Sequence, residues 1–258
     1  MRKFFFIFLS LTTITFFCIS CSDNTSGPRD WNQIKEEGRL RVAIDYSQLG
    51  FYHTGDRISG VQYEMIKALC HDLGIKPKFK MQADLKTEID GLSNGKYDLV
   101  ARLIPITTQL SGKVAFTHSL CLDKQVLVQR KPSIQDTVTT YIKSQLELPG
   151  HCISMPQTSP YTERLRNLGK EIGDTIDIET VAHYQSEQLV ILVATGDMDY
   201  TVCSYNLAKQ MSKSYPQIDY NTPISFSQMQ AWALSKQSPE LLKKINAWLD
   251  KNADKYFK

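Results

Sequence analysis

Beyond the leader of this 258-residue chain no C-x-x-C pair occurs among the four cysteines, and the five histidines, His53, His71, His118, His151 and His183, share no metal-ligand spacing. Zinc-ribbon, redox and metal-centre chemistry have no footing, and no cofactor is expected. Charge of one sign is also lacking. Thirty Lys and Arg against 27 Asp and Glu leave +3, and setting aside Arg2 and Lys3 of a leader leaves 3 − 2, about +1. That balance argues against nucleic acid and strongly acidic partners, and the Lys, Arg and aromatic residues make no platform for single strands. Asp and Glu are scattered without an acid/base pair. Ser93-Asn94-Gly95-Lys96 fits S-x-x-K formally, but its serine sits at the end of a predicted helix, not at a helix start. An enzyme is not expected.

What is present is an ordinary apolar fraction of 42%, which fits neither disorder nor a multi-span membrane protein. The length suffices for one large domain or two smaller ones. The informative stretch is Asn94-Gly95-Lys96-Tyr97-Asp98 followed by the apolar run Leu99 to Leu103. It reads as a helix end, a glycine stop and a buried strand. The arrangement returns at Thr195-Gly196-Asp197-Met198-Asp199 before Tyr200 to Ser204, with Gly196 and Asp199 each 101 positions after Gly95 and Asp98. The chain therefore reads as two related halves.

Residues 1–21 form a targeting segment, a basic Met1-Arg2-Lys3 followed by an uncharged, largely apolar stretch from Phe4 to Ile19. Ser20-Cys21 before a polar run resembles a bacterial lipoprotein cleavage site, which implies that Cys21 is lipidated and becomes the mature N-terminus. Cys18, preceded by bulky Phe17, suits this less well. A plain secretory signal or an uncleaved anchor helix is the alternative, and each places the folded part outside the cytoplasm. Cys70, Cys121, Cys152 and Cys203 remain. They suit buried free thiols, with Cys152 and Cys203 on corresponding strands as the one candidate pair for a disulfide.

After a tether over 22–37 that ends in a short helix, Trp31 to Glu37, the first half reads strand (Leu40 to Ile44), loop, helix (Gly60 to Leu73), strand (Lys76 to Met81), helix capped by Asp84, strand. The second half repeats the order. It has a strand at His151 to Met155, a helix with Ser159 as cap and Pro160 at its first position, a strand at Ile176 to Val181, a helix from Ser186, and the last strand. Alternation of this kind predicts an α/β fold of two βαβ-type lobes with mostly parallel sheets. Gln125 to Val128 and Gln230 to Ser235 are apolar crossing strands, which makes a two-strand hinge. Lobe one is expected over 38–125 plus 225–258 and lobe two over 126–224. Ligands of such sheets sit beyond the carboxyl ends of the strands, here in the cleft between lobes.

Gly60-Val61-Gln62-Tyr63-Glu64-Met65, the segment from Asp98 to Thr107 with Phe116-Thr117, and Ser238-Pro239-Glu240-Leu241-Leu242 resemble the type II periplasmic solute-binding family that serves polar amino-acid importers. The likeness covers about 38–256. A narrower one, to the N-terminal domain of membrane-bound lytic transglycosylase F, rests on Ser159-Pro160-Tyr161, Arg164-Leu165, Gln188-Leu189 and Ala194-Thr195-Gly196. In that family a catalytic domain follows. With this sequence ending at Lys258, that domain is expected to be absent.

The resemblance implies a binding site at Thr107 of the threonine loop and at Ser204. Thr158 and Ser159, at a strand's carboxyl end, are read with the N–H groups of the following helix either as an anion contact or, for Ser159, as a simple cap. Leu110 stands where the family carries its carboxylate-gripping arginine, and Ser204 where it carries the ammonium-holding aspartate. Both ends of the amino-acid clamp are missing, so the ligand is expected to be a short peptide or wall fragment rather than a free amino acid. Arg102, at the carboxyl end of a central strand, is read either as the grip on an anionic group or as a structural arginine paired with a carboxylate. Tyr46, Phe51 and Tyr52 either stack on the ligand or pack the rim. An ABC permease or a cell-wall enzyme is the expected protein partner, the membrane is reached through the lipid anchor, and a monomer is expected.

Overall fold

The computed structural model describes residues 27–257 apart from positions 56, 83, 133–139, 158 and 160. In chain order the first part holds α1 (Trp31–Glu37), β1 (Arg39–Ile44), β2 (Tyr52–Thr54), β3 (Arg57–Ser59), α2 (Val61–Asp72), β4 (Lys76–Met81), α3 (Leu85–Ser93), β5 (Leu99–Pro105), α4 (Thr108–Ser111), β6 (Ala115–Phe116) and β7 (Cys121–Asp123). The second part runs β8 (Gln125–Arg130), β9 (Cys152–Pro156), α5 (Thr162–Ile172), β10 (Asp177–Val181), α6 (Ser186–Thr195), β11 (Thr201–Ser204), α7 (Tyr205–Met211) and β12 (Ile218–Asp219). The chain then returns through β13 (Gln228–Leu234) to α8 (Pro239–Asn252).

Two separate sheets result. One has the order β4-β1-β5-β13-β6, with β7 also on β13, and the other has β10-β9-β11-β8-β12. Within each, the three βαβ strands are parallel and the crossing strand, β13 or β8, is antiparallel to its neighbour. Each sheet is covered on both faces, as parallel strands require. Leu40, Val42, Met65, Leu69, Trp232 and Trp248 fill one face of the first sheet, and Ala43, Ile89, Val100 and Ile104 the other. The second sheet is packed the same way by Ile153, Met155, Leu165 and Val202 on one side and Val126, Val128, Val190 and Cys203 on the other. The lobes are joined where β7 passes into β8. The returning chain runs alongside, with Ile224 N–H on the Gln125 carbonyl at 2.8 Å and Gln125 N–H on Ser225 Oγ at 2.9 Å.

The duplicated glycine turn has a shared electrostatic purpose. Asp98 is buried and accepts from Arg41 Nη2 at 2.8 Å, from the Arg41 backbone N–H at 2.7 Å and from the Arg29 guanidinium. Its counterpart Asp199 meets Arg130 at 3.2 Å, and Arg130 also donates to the Met198 and Val193 carbonyls. Each carboxylate ties the turn before a central strand to a neighbouring strand. Arg29 belongs to the stretch read as a tether, yet it is buried, and Asp30 accepts the N–H groups of Glu240 and Leu241 while Ser238 Oγ donates to the Arg29 carbonyl. The segment before α1 thus caps α8, a service Ser238 does not provide with its own side chain. Gly95, at φ 75°, is pressed on by the same segment: a Cβ there would lie 1.9 Å from the Gly27 carbonyl oxygen.

Ser159 and Ser186, each read as the cap of its helix, stand elsewhere in the structure. Ser159 does not cap α5, which begins at Thr162 behind Tyr161; its hydroxyl instead accepts the Tyr161 N–H at 3.2 Å in a local serine turn. Ser186 is the first residue of α6, and Gln185 and Gln188 make the capping box. The loop read over 45–59 contains the β2–β3 hairpin. Cys70, Cys121, Cys152 and Cys203 are all free thiols, so Cys152 and Cys203 are not bridged.

Gly60 fixes the loop that faces the second lobe. Its φ is 139°, and an added Cβ would meet the Gly50 carbonyl oxygen at 2.0 Å. That close approach lets the Leu49 and Gly50 carbonyls accept the Gln62 and Tyr63 N–H groups at 2.8 and 3.2 Å, capping α2 without a side chain. Gly60→Ala should cost about 2–4 kcal/mol in denaturant unfolding, the sum of backbone strain and a displaced loop. A loss under about 0.5 kcal/mol would show that the loop is not locked.

Candidate functional site

A cleft of about 470 Å³ opens between the lobes at the carboxyl ends of the central strands. Lobe one supplies Asp45, Tyr46, Ser47 and Leu49 from the loop after β1, Gln62 from the first turn of α2, Gln82 after β4, and Arg102, Leu103 and Pro105 from β5. Lobe two supplies Tyr161 before α5, the start of α6 from Gln185 to Gln188, and Ser204 with Leu207. The lobes touch across it: the Gln48 N–H donates to the Glu187 carboxylate, and Leu49 packs into the Val126–Val190 cluster of lobe two.

Of the residues expected at the site, the structure brings Tyr46, Arg102 and Ser204 to the cleft. Tyr46 is 56% exposed and stands at the mouth. Ser204 faces the cavity while its Oγ accepts the Leu207 N–H at 3.1 Å as the cap of α7. Phe51 and Tyr52 are not in the lining. Phe51 is buried edge-on to Tyr63 with ring centroids 5.4 Å apart, and Tyr52 lies in the β2–β3 hairpin. Thr107 caps α4 by accepting the Leu110 N–H at 3.2 Å, and Ser159 sits in its turn outside the lining. Leu110 packs on the Ala43–Ile89 cluster, so an apolar side chain fills the place where the resemblance would put a guanidinium. Thr158 and Cys21 lie outside the described residues.

Arg102 is ion-paired. Its Nη1 donates to Glu88 Oε2 at 3.1 Å, and Glu88 is fully buried. Burial pushes the Glu88 carboxyl up to about 7, although the Arg102 charge and hydrogen bond pull it down; Asp45 adds a like-charge push. Burial also lowers Arg102, but Asp45 and Glu88 outweigh it and hold the guanidinium above its ordinary value. Glu187 is raised by burial, with the Gln48 N–H pulling the other way and Asp45 again raising it. Asp45 is therefore the charge that Arg102, Glu88 and Glu187 all feel.

Asp45, Gln62, Glu88, Tyr161 and Glu187 were not singled out from the sequence. Two signals were available. Asp45 is the first residue beyond the buried strand β1, at its carboxyl end. Glu88 occupies the apolar stripe Leu85, Ile89, Leu92 of α3, where a charge needs a buried partner.

Two lobes of mostly parallel strands and a two-strand hinge around a cleft define a periplasmic-binding-protein type II fold. The chain belongs to the bacterial extracellular solute-binding proteins, family 3, whose pattern matches residues 39–256. Among solved structures it is similar to an ancestral arginine-binding protein bound to arginine, with TM-score 0.70, 22% identity, and coverage of 86% of this chain and 99% of that one. It is also similar to Tv2483 bound to L-arginine, with TM-score 0.72, 18% identity, and coverage of 87% and 89%. Among curated proteins it is similar to membrane-bound lytic murein transglycosylase F of Aeromonas salmonicida strain A449, 28% identical over 204 residues, and of Aeromonas hydrophila, 25% identical over 236. Those matches cover 79% and 92% of this chain but only 40% and 46% of the relatives, so the chain spans less than half their length. Among the described residues no helix is long and apolar enough to cross a membrane.

Proposed function

We propose that this protein is a lipid-anchored, extracytoplasmic binding module, without catalysis of its own, that closes on a peptide or cell-wall fragment rather than a free amino acid. The observation that carries it is that neither position of the family's amino-acid clamp is charged: Leu110 is packed into lobe one, and neutral Ser204 occupies the lobe-two position. A buried zwitterion needs both charges matched, since an unpaired ion costs several kcal/mol. Family membership supports delivery of the ligand to an importer's permease. The likeness to transglycosylase F supports a second reading, a sensing module that reports wall fragments to a separate cell-wall enzyme. In both, Arg102, Tyr46 and Ser204 contact the ligand.

Calorimetry against the twenty amino acids and a muropeptide digest tests the ligand class. Binding in the micromolar range is expected from the digest alone, and comparable binding of any free amino acid would overturn it. Cys21→Ser should move the protein from the membrane fraction to the soluble envelope fraction with its melting temperature unchanged. Full membrane retention would assign attachment to an uncleaved anchor.

A further inference from the structure

The cleft's charge and its one orphaned donor together describe a ligand group. Asp45 from lobe one and Glu187 from lobe two line the cavity, and Arg102 is the only cation lining it among the described residues. Arg102 is paired with Glu88, so the surroundings carry more carboxylates than cations. Carboxylates alone would mean little, since they are often satisfied by solvent. The second observation is Gln62, 1% exposed and part of the cleft wall. Its Oε1 accepts the indole N–H of the buried Trp232 at 2.5 Å. An indole N–H can only donate, so the amide cannot be flipped, and its Nε2 is left buried without a hydrogen-bond partner. A built-in acceptor is missing at that point, and a ligand can supply one.

We propose that the inner cleft recognises an ammonium group flanked by a carbonyl, the chemistry of a peptide's amino end, and needs no free carboxylate. The ammonium sits among Asp45 and Glu187, which approach from opposite lobes, so its binding favours closure. The neighbouring carbonyl accepts from Gln62 Nε2. A carboxylate in the place of that carbonyl would face Asp45 and Glu187 with the lining guanidinium of Arg102 already engaged by Glu88. This inference rests on the reading of the cleft as the binding site, and it narrows the ligand from wall fragments and peptides in general to those with a free amine beside an amide.

Calorimetry with three probes, L-alanyl-L-alaninamide, its N-acetyl form and L-alanine, tests it on the full chain. The free-amine amide should bind, and acetylation or exchange for L-alanine should weaken binding by about tenfold or more. Asp45→Asn and Glu187→Gln should each weaken the amide by a similar factor with melting temperatures held, and the second variant serves if the first misfolds. Equal binding of the acetylated probe or of L-alanine, or undiminished binding by both variants, overturns the proposal. If a muropeptide digest binds while none of the small probes does, this inference fails and the cleft reading stands. If neither the digest nor any probe binds, both fail.

Discussion

Asp98→Ala is expected to cost about 3–5 kcal/mol, enough to unfold much of the protein at physiological temperature. The carboxylate is buried, accepts from both Arg29 and Arg41, and also takes the Arg41 backbone N–H. Truncation leaves the Arg41 guanidinium without this carboxylate and Arg29 with only the half-exposed Glu37, together with an unsatisfied N–H. It also releases the N-terminal segment, because Arg29 holds that segment against Gly95 and its neighbour Asp30 caps α8. Denaturant unfolding should show a lower midpoint, and proteolysis should clip the chain before residue 39. Asp199→Ala is a built-in comparison: Asp199 is 58% exposed beside Arg130, so its loss should be about 1 kcal/mol or less. Equal losses at the two positions would refute the argument from burial.

Arg102→Leu is expected to destabilise by a similar amount, and the loss should depend on pH. Glu88 is then a fully buried carboxylate without its partner. Its carboxyl titrates at about 7 in the folded protein against an ordinary 4.5. Between those values the folded state keeps a proton that the unfolded chain releases, so stability is greatest at or below pH 4.5, falls as pH rises, and levels off above about 7. For this group the decline is on the order of 3 kcal/mol. Removing Arg102 takes away the charge that lowers Glu88, so the decline should extend to higher pH and grow in total in Arg102→Leu. Glu88→Gln should flatten it. Replacing both residues with leucine should come within about 1 kcal/mol of wild type, since no buried charge is left unpaired. A double variant as unstable as Arg102→Leu would mean the cost is packing rather than charge. In ligand titration, Arg102→Ala should weaken binding by about 1.5–3 kcal/mol.

The fold was legible because its signals are local and repeated. Gly95 with Asp98 and Gly196 with Asp199 mark helix stops before buried strands, and the glycines adopt φ values of 75° and 92° as such stops require. Gly38, Asp84 and Pro239 delimit their helices for equally local reasons. The site was less legible because it is assembled by non-local approach. Arg102 and Tyr46 were legible from their places toward or beyond strand ends and Ser204 from the resemblance, whereas Glu187 matters only because the loop carrying Gln48 crosses to it. Gln62 matters only because Trp232, 170 positions away, occupies one end of its amide. Phe51 has the composition of a ligand platform, but Tyr63 and Phe79 take up its ring. Ser159 shows the limit of cap signals: Ser-Pro announces a turn as readily as a helix start.

Native mass spectrometry of the protein purified without refolding tests the central claim most directly. One small molecule per chain is expected, with the mass of a peptide or wall fragment and released on acid unfolding. It should be absent from Ser186→Trp, which fills the cleft from the start of α6. A free amino acid in its place, or the same fragment retained by Ser186→Trp, would contradict the account.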